Sequence, residues 1–475
     1  MRMKRPPIIA VVGHVDHGKT TLLDHIRSSR VAAGEAGGIT QACGAYEIVH
    51  NGQKMTFIDT PGHQAFMGMR ERGANMADVA ILVVSAEDGV QEQTKESIRI
   101  VTESKTPYMV AVTKIDRQPK TDKAKNDLMQ EGVLLEGYGG DISWAGVSGA
   151  TGEGVSDLLD LISLVADTLD LQFDPDAPAA GFVLEAKKDA KRGVTVQAIV
   201  TDGTLAPGTD IATPTAGARV RSLEDAAGKR IESCTASAPV TIVGFKDLPA
   251  VGARFAAGTA ESVVETARPQ KLKIAHVAGV TAVNVIVKAD SQGALEAAAA
   301  CIRAIEVPAG AAVRVVAEGV GEITDGDVQW FVASESEKGM VIGFNVGATK
   351  TAEGVAKAHR IAVVSSKIIY ELVKSVEDAI KAVTKAAATG ELEILALFGK
   401  KGAREHVVGG KVVSGAMKSG ADIEIERDGA EIGKGKIVSL QTGKKPAESV
   451  EAGNECGLLV EADIDMKVGD RLIIR

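Results

Sequence analysis

The chain opens on an uninterrupted apolar run at residues 8–12 (IIAVV), passes through Gly-His-Val-Asp-His-Gly-Lys-Thr, and continues as an amphipathic stretch carrying Leu22, Leu23 and Ile26. A continuous apolar run reads as a strand buried on both faces, and the helical spacing after it reads as a helix. Apolar runs recur at 55–58, 79–84, 109–112 and 144–147, with helical patterns between them. A helix at 155–169 follows, its Leu158, Leu159, Ile162 and Val165 on one stripe. This alternation predicts a mostly parallel α/β sheet.

Asp174-Pro175-Asp176-Ala177-Pro178 then breaks the pattern and reads as a linker. Residues 181–258 hold short strands rich in Val, Ile and Thr, punctuated by Gly and Pro, which predict a small antiparallel barrel. An Ala- and Val-rich helix with a Lys-containing linker ends near Ala278. Strands at 283–287, 313–317 and 341–344, with an Ala-rich helix at 294–305, predict a second α/β unit. The longest helical pattern runs over 365–388, with Ile369, Leu372, Val376 and Ile380 on one stripe and Gly390 closing it. The remainder is strand-rich, and it echoes the first barrel. Asp202-Gly203-Thr204-Leu205-Ala206-Pro207-Gly208 resembles Ser414-Gly415-Ala416-Met417-Lys418-Ser419-Gly420. The breaks divide the chain into residues 1–172, 181–260, 279–364, 365–389 and 390–475.

Composition narrows the class. A chain of 475 residues exceeds one hydrophobic core, so about three or four domains are expected. No apolar stretch reaches the roughly 20 residues that span a bilayer, so no membrane partner is expected. The basic start at residues 1–5 runs directly into Pro6 and Pro7 and is not a secretion signal. Cys43, Cys234, Cys301 and Cys456 lie far apart, which argues against zinc or a disulfide framework and fits the reducing cytoplasm. A net charge of −9 argues against a globally basic RNA binder. RNA contacts would have to come from local patches such as Lys187, Lys188, Lys191 and Arg192, a group that a solvated loop face explains equally well.

The chemistry sits at the strand ends. Gly13 to Thr20 matches G-x-x-x-x-G-K-[ST] in its required strand–loop–helix context. Gly13 and Gly18 permit a tight turn whose N–H groups, including those near Asp16 and His17, point with the helix N-terminus at phosphate oxygens. Lys19 adds a point charge on the β- and γ-phosphates, and the Thr20 hydroxyl can ligate Mg²⁺, with Thr21 opening the helix beside it. The run at 55–58 ends in Asp59-Thr60-Pro61-Gly62-His63. There Asp59 can hold Mg²⁺ through water, and the Gly62 N–H can meet a γ-phosphate. Thr113-Lys114-Ile115-Asp116 closes a third strand. Asp116 can accept from N1–H and the exocyclic amine of guanine, which selects GTP over ATP, while the Lys114 stem covers the base. Ser148-Gly149 occupies the position where a backbone N–H contacts guanine O6.

These motifs resemble those of the translational GTPases. The segment Gly34-Glu35-Ala36-Gly37-Gly38-Ile39-Thr40-Gln41 with Gly44-Ala45-Tyr46 is similar to the first switch region of bacterial translation initiation factor 2. So are the opening Arg5-Pro6-Pro7 and the closing Glu455-Cys456-Gly457 and Lys467-Val468-Gly469-Asp470. The resemblance covers essentially the whole chain, which starts almost at the GTPase domain, where members usually carry an N-terminal extension. It implies a multidomain α/β plus β fold: a P-loop GTPase domain, a β-barrel, an α/β/α unit, a long connecting helix and a second β-barrel. GTP or GDP with Mg²⁺ would be bound. Thr40 would close on Mg²⁺ and γ-phosphate, and His63 would orient the attacking water behind an apolar gate of Val15 and Ile39. His14 and His17 would shape the loop. The guanine motif usually begins with Asn. Thr113, being shorter, would lose an amide that ties the phosphate loop to the base, worth about 0.5–1.5 kcal/mol.

By the same resemblance the last barrel would hold the formylmethionyl end of initiator tRNA, with Cys456, Glu455 and Gly457 at the amino-acid pocket. Plain core packing explains Cys456 equally well. A second family cysteine and a basic-aromatic cluster are missing here, leaving Phe398 and Lys444 as further candidates. The implied partners are initiator formylmethionyl-tRNA and the small and large ribosomal subunits, met by a monomer in the cytoplasm. The rivals are another translational GTPase, a ribosome- or tRNA-binding protein with feeble GTPase activity, and a metabolic enzyme coupled to GTP hydrolysis.

Overall fold

Six strands form the first sheet: β1 (Ile8–Gly13), β2 (Gly44–His50), β3 (Gln53–Asp59), β4 (Val79–Ser85), β5 (Tyr108–Thr113) and β6 (Trp144–Gly146), in the order β2-β3-β1-β4-β5-β6. The computed structural model describes residues 2–27, 43–62, 64–118, 120–189, 191–258, 281–307, 311–333, 339–384, 390–398, 405–427, 430–443 and 445–474. All of β1 and β4 is buried, as the continuous apolar runs require when helices cover both faces. Only β2 runs antiparallel to its neighbour. The helices are α1 (Lys19–Arg27), α2 (Met67–Met76), α3 (Glu92–Glu103), α4 (Asp122–Gln130) and α5 (Val155–Thr168).

The first barrel closes on itself. Ala180–Asp189, Gly193–Asp202, Pro239–Phe245, Gly217–Glu224, Asp210–Ala212 and Arg254–Ala257 pair in a ring, because Asp210–Ala212 bonds both Arg254–Ala257 and Gly217–Glu224. Val183, Val196, Leu205, Leu223, Ile242 and Phe255 fill it.

The second α/β unit has four parallel strands: β7 (Thr281–Ala289), β8 (Ala311–Val320), β9 (Gly339–Phe344) and β10 (Ala362–Ser366), in the order β8-β7-β9-β10. Helices α6 (Gln292–Arg303), α7 (Asp325–Ala333) and α8 (Lys350–His359) connect them. The last helix, α9 (Ile369–Thr384), begins four residues later than the apolar pattern suggests. Ser365 and Ser366 still belong to β10, and the Ser366 hydroxyl accepts from the Ile368 N–H at 3.0 Å, turning the chain before the helix starts. Ile369, Leu372, Val376 and Ile380 are buried at helical spacing. The helix expected to end near Ala278 lies outside the described residues.

The chain divides into two compact units, residues 1–377 and 378–475. The second contains a closed ring of Gly390–Phe398, Arg471–Ile474, Asp422–Arg427, Ala430–Thr442, Glu455–Ala462 and Glu405–Lys418. The sequence echo has a backbone basis. Gly203 and Gly208 take φ of 70° and 90°, and Gly415 and Gly420 take 64° and 79°, so both barrels turn on left-handed glycines five residues apart.

Candidate functional site

The carboxyl ends of β1, β3, β5 and β6 carry four loops, the place where parallel sheets collect their ligands. At the end of β1, Gly13 has φ +145°, and a Cβ there would collide with the Val83 carbonyl of β4. Asp16 at φ 62° and Gly18 at φ 84° complete the turn into α1. The Lys19 side chain folds back across the loop, its Nζ donating to the carbonyls of Gly13 at 2.9 Å and His14 at 2.6 Å. Burial pushes the Lys19 ammonium down to about 7; the carboxylate of Asp59 opposes that shift and the cation of Arg70 adds to it. His17 is buried, and burial with the neighbouring His14 and Lys19 lowers it to about 4, so its ring is neutral. Thr20 is half-buried, while Asp16 and Thr21 are exposed.

Asp59 is buried at the end of β3, close enough to Lys19 to act on its charge. The Thr60 hydroxyl donates to the Val11 carbonyl at 2.6 Å, fastening this loop to β1. A Cβ on Gly62 would collide with Lys19 Nζ, so the glycine is what lets the two loops touch. Thr40, Ile39 and His63 lie outside the described residues.

On the base side, Thr113 is fastened to the phosphate loop. Its hydroxyl donates to the His17 carbonyl at 2.5 Å, so the tie between β5 and the phosphate loop is kept by a shorter side chain. Lys114, at φ 60°, sends its ammonium to Asp88 at 3.0 Å and Glu87 at 3.5 Å. Asp116 is exposed, free of the sheet and facing solvent. Ser148 is buried, and its N–H donates to the Glu153 carbonyl at 2.9 Å. A Cβ on Gly149 would fall 2.7 Å from the Leu22 nitrogen, holding this loop against α1. Thus Asp16, His17, Gly18, Lys19, Thr20, Asp59, Gly62, Thr113 and Gly149 converge on one edge of the sheet.

The residues fit a nucleoside polyphosphate and a divalent ion. Glycines hold the backbone open at Gly13 and Gly62, a buried ammonium lies beneath the loop, and Asp59 supplies an oxygen donor suited to Mg²⁺. Sequence reasoning missed the outer brace of this site, Gln93, Glu96 and Arg70. Gln93 Oε1 accepts from the Val15 N–H at 2.9 Å. The readable signal was Arg70 itself, a charge on the buried stripe of Phe66, Met69, Gly73 and Ala74.

In the second unit, Phe398, Glu455, Cys456 and Gly457 line one open cleft of about 380 Å³, with Leu395, Gly409 and Gln441 beside them. Cys456 is 6 % exposed, also belongs to the barrel core, and burial pushes its thiol up to about 11. Lys444 lies outside the described residues. The basic group on the first barrel is partly neutralised: Arg192 pairs with Asp189 and Glu224, and Lys187 with Asp290. Among the described residues no group of His, Cys, Asp and Glu forms a metal cluster, and no helix is long and apolar enough to cross a membrane.

Comparison with known proteins gives the site its context. Residues 4–168 match the elongation factor Tu GTP binding domain, 178–258 match elongation factor G domain 2, and 260–377 match translation-initiation factor 2. The chain is 37 % identical to translation initiation factor IF-2 of Shouchella clausii over 99 % of its own length and 64 % of that protein. Against the same factor of Rubrobacter xylanophilus it is 38 % identical, covering 99 % of this chain and 71 % of the relative. The chain thus spans about two thirds of the length of these relatives. The GDP-bound crystal structure of aIF5B from Aeropyrum pernix superposes with a TM-score of 0.50 at 27 % identity, covering 99 % of this chain and 92 % of that one. A guanine-nucleotide edge on the first sheet, followed by a barrel and an α/β unit matched along their lengths, places this chain in the translation initiation factor IF-2 family.

Proposed function

We propose that the chain is a GTP-driven initiation factor, a monomer of the cytoplasm. In its GTP form it promotes binding of initiator formylmethionyl-tRNA to the small ribosomal subunit and joining of the large subunit, which in turn stimulates hydrolysis. The observation that supports this most is the convergence of the phosphate loop, Gly62 and the Thr113–Asp116 loop on one sheet edge.

Within this reading the phosphate-loop N–H groups and Lys19 bind the β- and γ-phosphates. Asp116 accepts from the guanine edge. The Ser148 N–H is already committed to Glu153, so contact with guanine O6 falls to Gly149. Thr20, Thr40 and, through water, Asp59 would hold Mg²⁺, which supplies charge neutralisation on the phosphates when bound. His63 orients the attacking water, and the lost γ-phosphate contacts at Thr40 and Gly62 release both switches. In the last barrel, Phe398, Lys444, Glu455, Cys456 and Gly457 receive the aminoacyl end of the tRNA.

The test begins with base choice. Asp116→Asn puts an amide donor where the base must offer an acceptor, so preference should move from GTP to xanthosine triphosphate. Unchanged preference for GTP would remove Asp116 from the base site. His63→Ala should leave nucleotide affinity intact while slowing ribosome-stimulated turnover.

A further inference from the structure

The turn after Asp59 is gripped by a side chain that none of the nucleotide motifs contains. Arg70, near the start of α2, is wholly buried. Its Nη1 donates to two successive carbonyls, Pro61 at 3.0 Å and Gly62 at 2.9 Å. Its Nη2 donates to Glu96 Oε2 on α3 at 2.7 Å. A guanidinium is planar and rigid, so this three-way engagement fixes the orientation of the loop as well as its distance.

The geometry has a consequence for the peptide between Pro61 and Gly62. In a trans peptide the N–H points opposite to the C=O. Holding the Pro61 oxygen toward Arg70 therefore turns the Gly62 N–H away from it. A Cβ on Gly62 would collide with Lys19 Nζ and fall 3.1 Å from the Val15 nitrogen, so only a glycine lets this peptide lie so close to the phosphate loop. The anchor is shared with the phosphate loop. Gln93 and Glu96 lie three residues apart on one face of α3, one accepting from the Val15 N–H and the other holding Arg70. One helix face thus keeps both loops in register with each other.

We propose that Arg70, braced by Glu96, is a positioning residue for hydrolysis: it orients the Pro61–Gly62 peptide toward the γ-phosphate without touching the nucleotide. This rests on the GTPase reading above. Arg70→Lys keeps the charge near Glu96 but offers a single point donor in place of the fork. Glu96→Gln leaves the guanidinium intact and removes the carboxylate that braces it, a milder change should Arg70→Lys fail to fold.

The experiment measures GDP and the non-hydrolysable analogue GDPNP by calorimetry, and turnover of bound GTP with ribosomes, on the full chain with Mg²⁺. Both variants should bind GDP within about threefold of the parent while turnover falls by roughly 10–100-fold, as small misplacements at a reacting centre do. Preference for GDPNP over GDP should shrink by about tenfold, since only the γ-phosphate reads the misplaced peptide. Equal losses for both nucleotides with unchanged turnover of bound GTP would make Arg70 a packing element and overturn the proposal. So would variants that match the parent in every measurement. If the parent binds neither nucleotide, the GTPase reading itself fails, and that titration shows it before any variant is compared.

Discussion

Two strand-to-helix crossings in this molecule use the same physics to opposite ends. Both β1 and β7 are interior parallel strands with a neighbour on each side, and each leads directly toward a helix, α1 or α6. Each helix N-terminus attracts negative charge through its unpaired N–H groups. At the first crossing, glycines keep the backbone clear and Lys19 adds a cation, an arrangement suited to a bound polyanion. At the second, the anion belongs to the chain. Glu185, 1 % exposed on a strand of the first barrel, accepts from the Gly293 N–H and the Ser291 hydroxyl, each at 3.1 Å. Ser291 in turn accepts from the Ala294 N–H at 3.3 Å. The parallel topology alone therefore does not make a ligand site. Whether a side chain of the protein already fills the helix end decides it.

Removing the charge at each crossing should separate the two roles. Lys19→Ala should weaken nucleotide binding by at least about 100-fold, since a charge-assisted contact contributes roughly 1.5–3 kcal/mol and this cation serves two phosphates. Calorimetric titration with GDPNP reads the loss; an unchanged affinity would erase the distinction between the crossings. Stability should move the other way. Lys19 titrates near 7 in the fold, well below an unfolded lysine. The unfolded chain thus holds more protons above pH 7, and the contribution of Lys19 to stability rises with pH from about 7 toward 10. Lys19→Met should abolish that rise in thermal melts.

At the second crossing, Glu185→Ala should destabilise the first unit by about 1–3 kcal/mol, because it strips buried donors of their acceptor, and leave GDP affinity nearly unchanged. Gly293 sits tightly here: a Cβ would come within 2.5 Å of the Met69 methyl of α2, and Arg72 of α2 pairs with Glu296 of α6 at 2.8 Å. A large drop in GDP affinity for Glu185→Ala would show that this packing transmits to the nucleotide edge. Burial raises the Glu185 carboxyl, against the hydrogen bonds from Gly293 and Ala186. A raised folded pKa means its contribution is full below the unfolded carboxyl value and is lost as pH rises through the folded one. Relative to Glu185→Gln, the parent should therefore lose melting temperature with rising pH across that window.

Much of this contrast was legible in the chain, and the part that was not has a physical cause. Continuous apolar runs located the buried strands at 8–12 and 79–84, and the turn glycines at 203 and 415 carried the echo between barrels into a shared backbone conformation. The phosphate loop was visible because its chemistry lies within eight consecutive residues. Glu185 was invisible because its partners lie 106 and 108 residues away, beyond any local period. Arg70 left only a charge on an apolar stripe, and its carboxylate partner sits on another helix. The start of α9 was misplaced because a serine hydroxyl, which periodicity does not register, turns the chain.

Thr113 sets the smallest and sharpest test of how the first crossing is held. The shorter side chain lacks the amide expected to bridge the phosphate loop to the base, and its hydroxyl reaches the His17 carbonyl from the end of β5. The same oxygen lies 3.3 Å from the Val84 carbonyl, so the hydroxyl proton chooses between two acceptors and strongly favours the nearer. Thr113→Val preserves shape and removes only that proton. The expected effect is about 0.5–1.5 kcal/mol, or up to roughly tenfold in GDP affinity, because one neutral hydrogen bond is exchanged for an unsatisfied carbonyl. Thr113→Ser should keep the affinity of the parent, since the donor survives when the methyl is lost. If Thr113→Val binds GDP as tightly as Thr113→Ser, the link between β5 and the phosphate loop is decorative, and the first crossing is organised by Lys19 and its glycines alone.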